Sequence, residues 1–234
     1  MSNKKFIGTA FLIAENLVLL PEFVLRATES SGVSINFSYS GQTENRVVSK
    51  VIWRSEISES SQSAALCEIP RSTREPLTIG LVNAASNETK MGNRKIAVFG
   101  FPQADQRLPK ELNEYIAPGG NHLAVMPGET SVHQSKPFIL LHDATTSGGV
   151  SGGPVVDRLS KTVIAMHLGG RFAEVKKENY AVKMQALWDN PSFKEALQPY
   201  NVTTRTIVTD WIESGFFHQT APPSGNAEGK VAID

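Results

Sequence analysis

Short runs of apolar residues recur along the chain, and residues typical of turns separate them. Runs of about four to eight residues with such spacing are typical of β-strands in sandwiches and barrels. In the first half they predict strands at Gly8–Ala14, Leu17–Leu20, Val33–Tyr39, Val47–Arg54 and Ala64–Ile69. In the second half they predict strands at Lys95–Phe101, Tyr115–Ala117, His122–Val125, Phe138–Leu141, Pro154–Asp157, Thr162–Leu168 and Asn179–Val182. The pattern therefore predicts an all-β fold in two sets of strands, with Arg71–Asn93 as their connection.

The pattern changes after Val182. Three segments have helical spacing of their apolar residues: Lys183–Trp188, Ser192–Leu197 and Thr206–Ser214. A C-terminal helical segment is therefore expected over residues 188–219. The last residues, 220–234, are rich in proline, glycine, serine and alanine, and this composition predicts a disordered tail.

The composition argues against binding to nucleic acid or to a membrane. The chain has 234 residues, and its 23 basic and 23 acidic side chains give a formal net charge of zero. A neutral chain has no long-range field that attracts nucleic acid or an anionic membrane, so a peptide or protein partner is favoured. No apolar run is long enough for a membrane span. Cys67 is the single cysteine, so no intramolecular disulfide can form, and a reducing, cytoplasmic setting is favoured.

The strongest chemical signal is Gly149–Pro154, which reads Gly-Val-Ser-Gly-Gly-Pro. Its glycines allow a sharp backbone turn that can aim the amides of Gly149 and Ser151 at one point, as an oxyanion hole does. The motif and its flanks resemble the nucleophile loop of the trypsin/chymotrypsin superfamily of serine proteases. The resemblance implies that Ser151 occupies the nucleophile position.

A second segment, Thr162–Gly170, resembles the strand that follows the nucleophile in the glutamyl-endopeptidase branch of this superfamily. The resemblance implies that His167 and Thr146 line the specificity pocket and meet an acidic or amide side chain. It also implies that the edge formed by Leu168, Gly169 and Gly170 pairs with an extended substrate. A histidine satisfied inside the barrel remains the alternative for His167.

The resemblance extends to the N-terminal half. Gly8–Leu19 is similar to the hairpin that leads to the catalytic histidine, and Lys95–Pro102 is similar to the strand that opens the second barrel. The implied fold is a pair of antiparallel six-stranded β-barrels. The first is expected over residues 5–85 and the second over residues 90–187, within one two-barrel domain of residues 1–187.

The catalytic base and its orienting acid are missing from this pattern. Phe23 stands where the family has its histidine, and Ser63 stands where it has its aspartate. A shift of register cannot restore them, because the first aspartate is Asp105 and the histidines are at positions 122, 133, 142, 167 and 218. Phenylalanine cannot accept a proton, and Glu22 is the only nearby candidate for a base. Phe23 could also simply fill the core space left by the histidine.

Three functions stay open. The leading hypothesis is a catalytically inactive homologue, a pseudoprotease that binds a peptide or protein as a regulatory module. The first alternative is an active serine endopeptidase with a pocket for acidic residues or glutamine and a non-standard or partner-supplied base. The second is a structural interaction domain with a dead cleft. None of these requires a metal or a cofactor, and neither is expected.

Overall fold

The computed structural model describes residues 7–28, 32–39, 42–55, 63–82, 91–104, 109–117, 122–172 and 177–207. The strands of the first half are β1 (Phe11–Ala14), β2 (Leu17–Leu20), β3 (Ser34–Tyr39), β4 (Gln42–Val47), β5 (Lys50–Arg54), β6 (Ala65–Glu68) and β7 (Ile79–Val82). Those of the second half are β8 (Lys95–Gly100), β9 (Ala124–Val132), β10 (Ile139–His142), β11 (Pro154–Asp157), β12 (Thr162–Phe172), β13 (Lys177–Lys183) and β14 (Thr204–Ile207). The helices are α1 (Glu22–Arg26), α2 (Lys110–Ile116), α3 (Met184–Trp188) and α4 (Pro191–Leu197). The predicted all-β class is confirmed.

Six strands of the second half close into an antiparallel barrel. Their order is β11-β8-β9-β10-β13-β12, and pairing between β11 and β12 completes the ring. Apolar side chains from alternate strand positions fill its interior, among them Ile96, Val98, Leu140, Val155 and Ile164. A six-stranded ring is small enough for side chains to fill, so this barrel is a packed core.

Of the first seven strands, β1 to β6 form two sheets in the described part of the chain, whereas β7 joins the sheet of the second half between β12 and β14. One sheet has the order β1-β2-β6-β5, and β3 pairs with β4 in the other. The amide of Val48 donates to the carbonyl oxygen of Val33 at 2.9 Å, which extends the β3–β4 pair, and the amide of the next residue, Ser49, donates to the carbonyl oxygen of Glu68 at 2.9 Å, where the chain enters the other sheet. Both sheets cover one apolar cluster that includes Leu12, Val18, Leu20, Ala65 and Cys67. The strand number agrees with the expected first barrel, but a closed ring of backbone pairing is not found among the described residues of this half.

A continuous apolar core joins the two halves. It combines Leu17, Leu19 and Leu66 from the first half with Met166 and Leu168 of β12. Helices α3 and α4 cover this core with Met184, Leu187, Phe193 and Leu197. The ring of Trp53 meets that of Phe193 edge-on at 5.0 Å, and its indole nitrogen donates to Ser192 Oγ at 2.8 Å. The C-terminal helices therefore hold the first half against the second.

Two sequence predictions about secondary structure are wrong. Tyr115 and Ile116 belong to helix α2 rather than to a strand. Pro109 precedes the first turn of α2, and Lys110 pairs with Glu114 one turn later, an arrangement that favours a helix. Thr206 and Ile207 belong to β14 rather than to a helix, because the edge of β7 offers them parallel backbone partners.

Other parts of the predictions fall outside the described residues. These are the remainder of the predicted helix, residues 208–214, and the tail of residues 220–234. The longest helices in the described part of the chain have seven residues, so none could cross a membrane.

Candidate active site

The loop from residue 143 to residue 153 connects β10 to β11 and carries the nucleophile motif. Its backbone passes close to Thr9, just before β1. A Cβ atom on Gly152 would lie 1.9 Å from the carbonyl oxygen of Thr9, and Gly152 has φ +93°. Gly149 also has a positive φ, 87°. Both positions need glycine, because other residues rarely adopt a positive φ. At Gly152 there is also no room for a side chain.

Two hydrogen bonds fix the peptide groups on either side of Gly149. The amide of Gln103 donates to the carbonyl oxygen of Gly148 at 2.7 Å. In a trans peptide the N–H points opposite to the C=O, so the N–H of Gly149 is directed away from Gln103. The hydroxyl of Thr9 donates to the carbonyl oxygen of Gly149 at 2.8 Å. The amide of Gly149 therefore has a defined direction.

The peptide groups around Ser151 are fixed in the same way. The amide of Gly153 donates to the carbonyl oxygen of Val150 at 2.8 Å, which turns the N–H of Ser151 away from Gly153. The amide of Thr9 donates to the carbonyl oxygen of Ser151 at 2.7 Å. Thr9 thus holds the loop twice, once through its backbone and once through its side chain.

Among the five amides from Gly149 to Gly153, two have no acceptor in the described part of the chain. Within the described residues, Val150 donates to Ser147, Gly152 to His167, and Gly153 to Val150. The N–H groups of Gly149 and Ser151 have no acceptor in that part of the chain. Both residues are partly exposed. The sequence motif predicts that these two amides form an oxyanion hole. Donors of this kind suit an oxygen that carries negative charge.

Phe23 and Ser63 lie next to each other. Phe23 is in the first turn of α1, and its amide donates to Ser63 Oγ at 3.3 Å. The residues around Phe23 border the nucleophile loop: a Cβ on Gly152 would lie 2.6 Å from Cδ of Pro21, and Gly8 is close to both Val24 and the carbonyl oxygen of Ser151. The side chain of Phe23 is 44% exposed, so it does not fill the core.

The carboxylate of Glu22 is committed to other partners. Arg26 donates to it twice, from Nε to Oε1 at 3.1 Å and from Nη2 to Oε2 at 2.7 Å. Arg54 approaches the same carboxylate at 4.0 Å. Both carboxylate oxygens are thus engaged by an arginine in charge-assisted hydrogen bonds, and no hydrogen bond joins Glu22 to Ser151 among the described residues. Glu22 therefore does not replace the missing histidine.

No histidine of the described residues hydrogen-bonds to Ser151. His142 and His167 contact each other, with Nε2 of His142 3.0 Å from Nδ1 of His167. The ring of His133 accepts from the amides of Ser135 and Lys136. His122 is exposed, and His218 lies outside the described residues. Proton transfer from the Ser151 hydroxyl has no acceptor in this part of the chain.

The predicted specificity residues occupy a buried polar layer of the second barrel. His167 is 2% exposed, and burial followed by the neighbouring His142 lowers the pKa of its imidazole to about 3. The ring is therefore neutral near pH 7. The hydroxyl of Thr146 donates to Oδ1 of Asn179 at 3.0 Å, and the amide of Asn179 donates to the carbonyl oxygen of Ala144 at 2.6 Å. The hydroxyl of Thr146 already donates its one hydrogen bond to Asn179, but its oxygen can accept a further one.

Two residues of this layer were not identified in the sequence. His142 ends β10, and Asn179 lies opposite it in β13. Neither belongs to a motif, and strand register alone brings them to His167 and Thr146. No local signal could have found them, since the contacts join residues 25 and 33 positions apart.

The strand edge formed by Leu168, Gly169 and Gly170 extends beyond the last pair of the barrel seam. Pairing of β11 with β12 runs from Asp157↔Thr162 to Pro154↔Met166. The backbone of His167 still exchanges hydrogen bonds with Gly152 and Gly153, and beyond it β12 pairs with β13 alone among the described residues. A Cβ on Gly170 would lie 2.2 Å from Oδ1 of Asn179, so this edge has no space for a side chain on that face.

Known proteins resemble the chain in sequence pattern and in fold. A sequence profile described as the trypsin-like peptidase domain matches residues 8–166. No curated protein matches significantly. The fold is similar to that of the MamO protease domain from Magnetospirillum magneticum (apo form), with TM-score 0.51 and 12% identity over 80% of this chain and 89% of that chain. It is also similar to a Glu endopeptidase solved in complex with MPD, with TM-score 0.57 and 18% identity over 81% of this chain and 83% of that one. Identities this low indicate a shared fold alone.

Proposed function

This chain belongs to the family of trypsin-like peptidase domains, and from that premise we propose that it is a catalytically inactive member whose cleft binds an extended peptide or protein segment. One observation carries the proposal. The two neighbouring positions 23 and 63, which a protease of this family would use for its histidine and aspartate, hold a phenylalanine and a serine, and the amide of Phe23 donates to Ser63 Oγ.

The chemical consequence follows from the reactivity of serine. A serine hydroxyl attacks a carbonyl only when a neighbouring base takes its proton. Loss of the histidine from such a triad lowers the rate by about 10⁶-fold, and the oxyanion hole and binding alone retain about 10³- to 10⁴-fold over water. The arginine contacts of Glu22 remove the nearest substitute. Peptide hydrolysis at a physiological rate is therefore not expected.

The peptide-binding part of the proposal rests on the strand edge and the pocket. Residues 168–170 offer backbone groups on a side where β12 has no strand partner among the described residues. An extended segment could add to this edge as a further strand. His167 lies in the same strand and Thr146 in the nucleophile loop, and the family resemblance implies that they meet a side chain of that segment. Because His167 is neutral, an uncharged amide such as glutamine fits better than a carboxylate, whose burial would need a cation.

The setting of the protein is a smaller part of the proposal. Cys67 is fully buried, and burial raises the pKa of its thiol to about 11, so the thiol is unreactive in the folded chain, and as the single cysteine it cannot form an intramolecular disulfide. A regulatory role in the cytoplasm, with a peptide or protein as partner, agrees with this chemistry and with the zero net charge.

Labelling with a fluorophosphonate tests the inactivity. The full chain should show no labelling under conditions that label an active glutamyl endopeptidase completely, and it should leave peptides with Glu, Asp or Gln before the scissile bond uncut. A Ser151→Ala variant identifies any label that does appear. Serine labelling of the unmodified chain that disappears in this variant would make the protein an enzyme.

Peptide binding distinguishes this function from that of a structural domain with a dead cleft. The double variant Thr146→Val, His167→Ala should weaken binding of glutamine-containing peptides. Thr130→Val is a matched control, because Thr130 is buried in the same barrel and its hydroxyl bonds to the backbone of Met91 and Arg94 rather than to the predicted specificity residues. Equal binding by the double variant and the control would contradict the pocket assignment.

A further inference from the structure

We propose that the segment bound in this cleft ends there, and that the N–H groups of Gly149 and Ser151 hold its C-terminal carboxylate. The inference rests on the proposed function and names the ligand class more narrowly: a peptide with a free C-terminus. It assigns a binding role to the loop in place of the catalytic role that the loop has lost.

Two backbone amides near the nucleophile position lack a hydrogen-bond acceptor among the described residues. Of the five amides from Gly149 to Gly153, three have acceptors within the described residues, and those of Gly149 and Ser151 do not. Buried amides are normally satisfied, and both residues are only partly exposed, so two open donors separated by one residue favour an external acceptor. Backbone N–H groups in a turn that includes a residue of positive φ can form a concave nest that binds anions.

The peptide groups of these two amides are also held rigidly. The carbonyl groups that flank the two amides are held by Gln103, by Gly153, and by Thr9 through both its hydroxyl and its amide. The donors therefore keep their direction without a ligand. Preorganised donors bind more tightly because little conformational freedom is lost on association.

Charge complementarity also favours this ligand. Donors arranged as an oxyanion hole are complementary to an oxygen with full negative charge rather than to a neutral carbonyl. An active protease creates that charge during the reaction. This chain has no base in contact with Ser151 among its described residues, so the charged oxygen must arrive with the ligand. A C-terminal carboxylate is the group in an ordinary peptide that brings it at the end of an extended backbone.

The described side chains around Gly149 and Ser151 would not repel an anion. The neighbouring residue Phe23 is uncharged, and the carboxylate of Glu22 is neutralised by Arg26. Asp143, at the start of the loop, accepts a hydrogen bond from the amide of Glu129 on the other side. Within the described residues no carboxylate contacts Gly149 or Ser151.

Matched peptides test the inference on the full chain. The probes are two pools of acetylated pentapeptides with four randomised positions before a glutamine, one with a free C-terminal carboxylate and one with a C-terminal amide. Charge-assisted hydrogen bonds contribute about 1.5–3 kcal/mol, so the free acids should bind about 10- to 100-fold more tightly. In ¹⁵N-labelled protein, the amide signals of Gly149 and Ser151 should shift with the free acids and stay in place with the amides.

Three results of this experiment would contradict the inference, and one of them would also contradict the proposed function. Shifts at residues 168–170 with both pools, at equal affinity, would overturn the carboxylate assignment and leave the proposed function intact. Binding of neither pool would contradict the proposed function and the inference together. Tighter binding of the free acids without shifts at Gly149 and Ser151 would place the carboxylate elsewhere and would also overturn the inference.

Two pairs of variants give an independent test. Phe23→Asp places a negative charge beside the loop and should reduce the preference for free acids several-fold, whereas the isosteric Phe23→Asn should keep it. Phe23 is half exposed, so both variants should fold. Thr9→Val removes the hydroxyl that orients Gly149 and should also reduce the preference, and Thr9→Ser should restore it. An unchanged ratio of free-acid to amide affinity in both Phe23→Asp and Thr9→Val would refute the assignment.

Discussion

Replacement of Gly152 by alanine should separate the nucleophile loop from the first half of the molecule. The new Cβ would lie 1.9 Å from the carbonyl oxygen of Thr9, about 1.5 Å closer than an ordinary contact, and that oxygen belongs to the backbone. Overpacking of this kind costs about 1–3 kcal/mol, and a positive φ adds about 1–2 kcal/mol for a residue with a side chain. Gly152→Ala should therefore lower the free energy of unfolding by about 2–5 kcal/mol.

Urea denaturation followed by tryptophan fluorescence measures this loss, and Gly148→Ala is the matched control. Gly148 is in the same loop, but a Cβ there would meet no atom within 4 Å, and its φ is not in the left-handed region. The control should stay within about 0.5 kcal/mol of the unmodified chain, or gain slightly from the lower entropy of its unfolded state. Equal stability of the two variants would refute the close approach of the loop to Thr9 and, with it, the fixed direction of the amides.

Three further predictions address the site and its surroundings. Phe23→His combined with Ser63→Asp should produce slow fluorophosphonate labelling that a third change, Ser151→Ala, abolishes; no labelling would mean that position 23 does not face the nucleophile. Because the pKa of His167 falls from about 6.5 to about 3 on folding, the unfolded chain binds more protons between these values, so stability should decrease as the pH falls from 6.5 towards 3. The contribution of this group to the slope of the unfolding free energy against pH is at most about 1.4 kcal/mol per pH unit. The variant His167→Gln should reduce that slope. An unchanged dependence of the urea midpoint on pH in the variant would contradict the assignment. Cys67 should react with thiol reagents only on unfolding, since it is fully buried and its thiol has a raised pKa, and rapid modification of the native chain would disprove this.

Much of the secondary structure could be predicted because strand formation here follows local alternation. The bounds of β2 and β11 agree with the predicted runs, and the helical spacing after Val182 corresponds to α3 and α4. The errors have a tertiary origin. Thr206 and Ile207 join a strand because β7 presents a free edge at that point, and the sequence around them contains no sign of that partner.

The sequence by itself determined which catalytic side chains of the family are absent. Neither histidine nor aspartate occurs before residue 105, so the first half of the chain cannot supply the family's histidine or its aspartate under any register. The glycines at 149 and 152 were also readable locally, because the demand for positive φ belongs to the single residue. Such properties need no knowledge of distant neighbours.

Only the tertiary structure decided which hydrogen-bonding groups remain available. Thr9 reaches the loop across 140 positions of sequence, and its two hydrogen bonds fix where the amides of Gly149 and Ser151 point. Oδ1 of Asn179 accepts a hydrogen bond from the Thr146 hydroxyl, His142 occupies one nitrogen of His167, and Arg26 donates to the carboxylate of Glu22. A residue type defines what a group can donate or accept, whereas packing of distant strands defines which of those capacities are already used and which are left for a ligand.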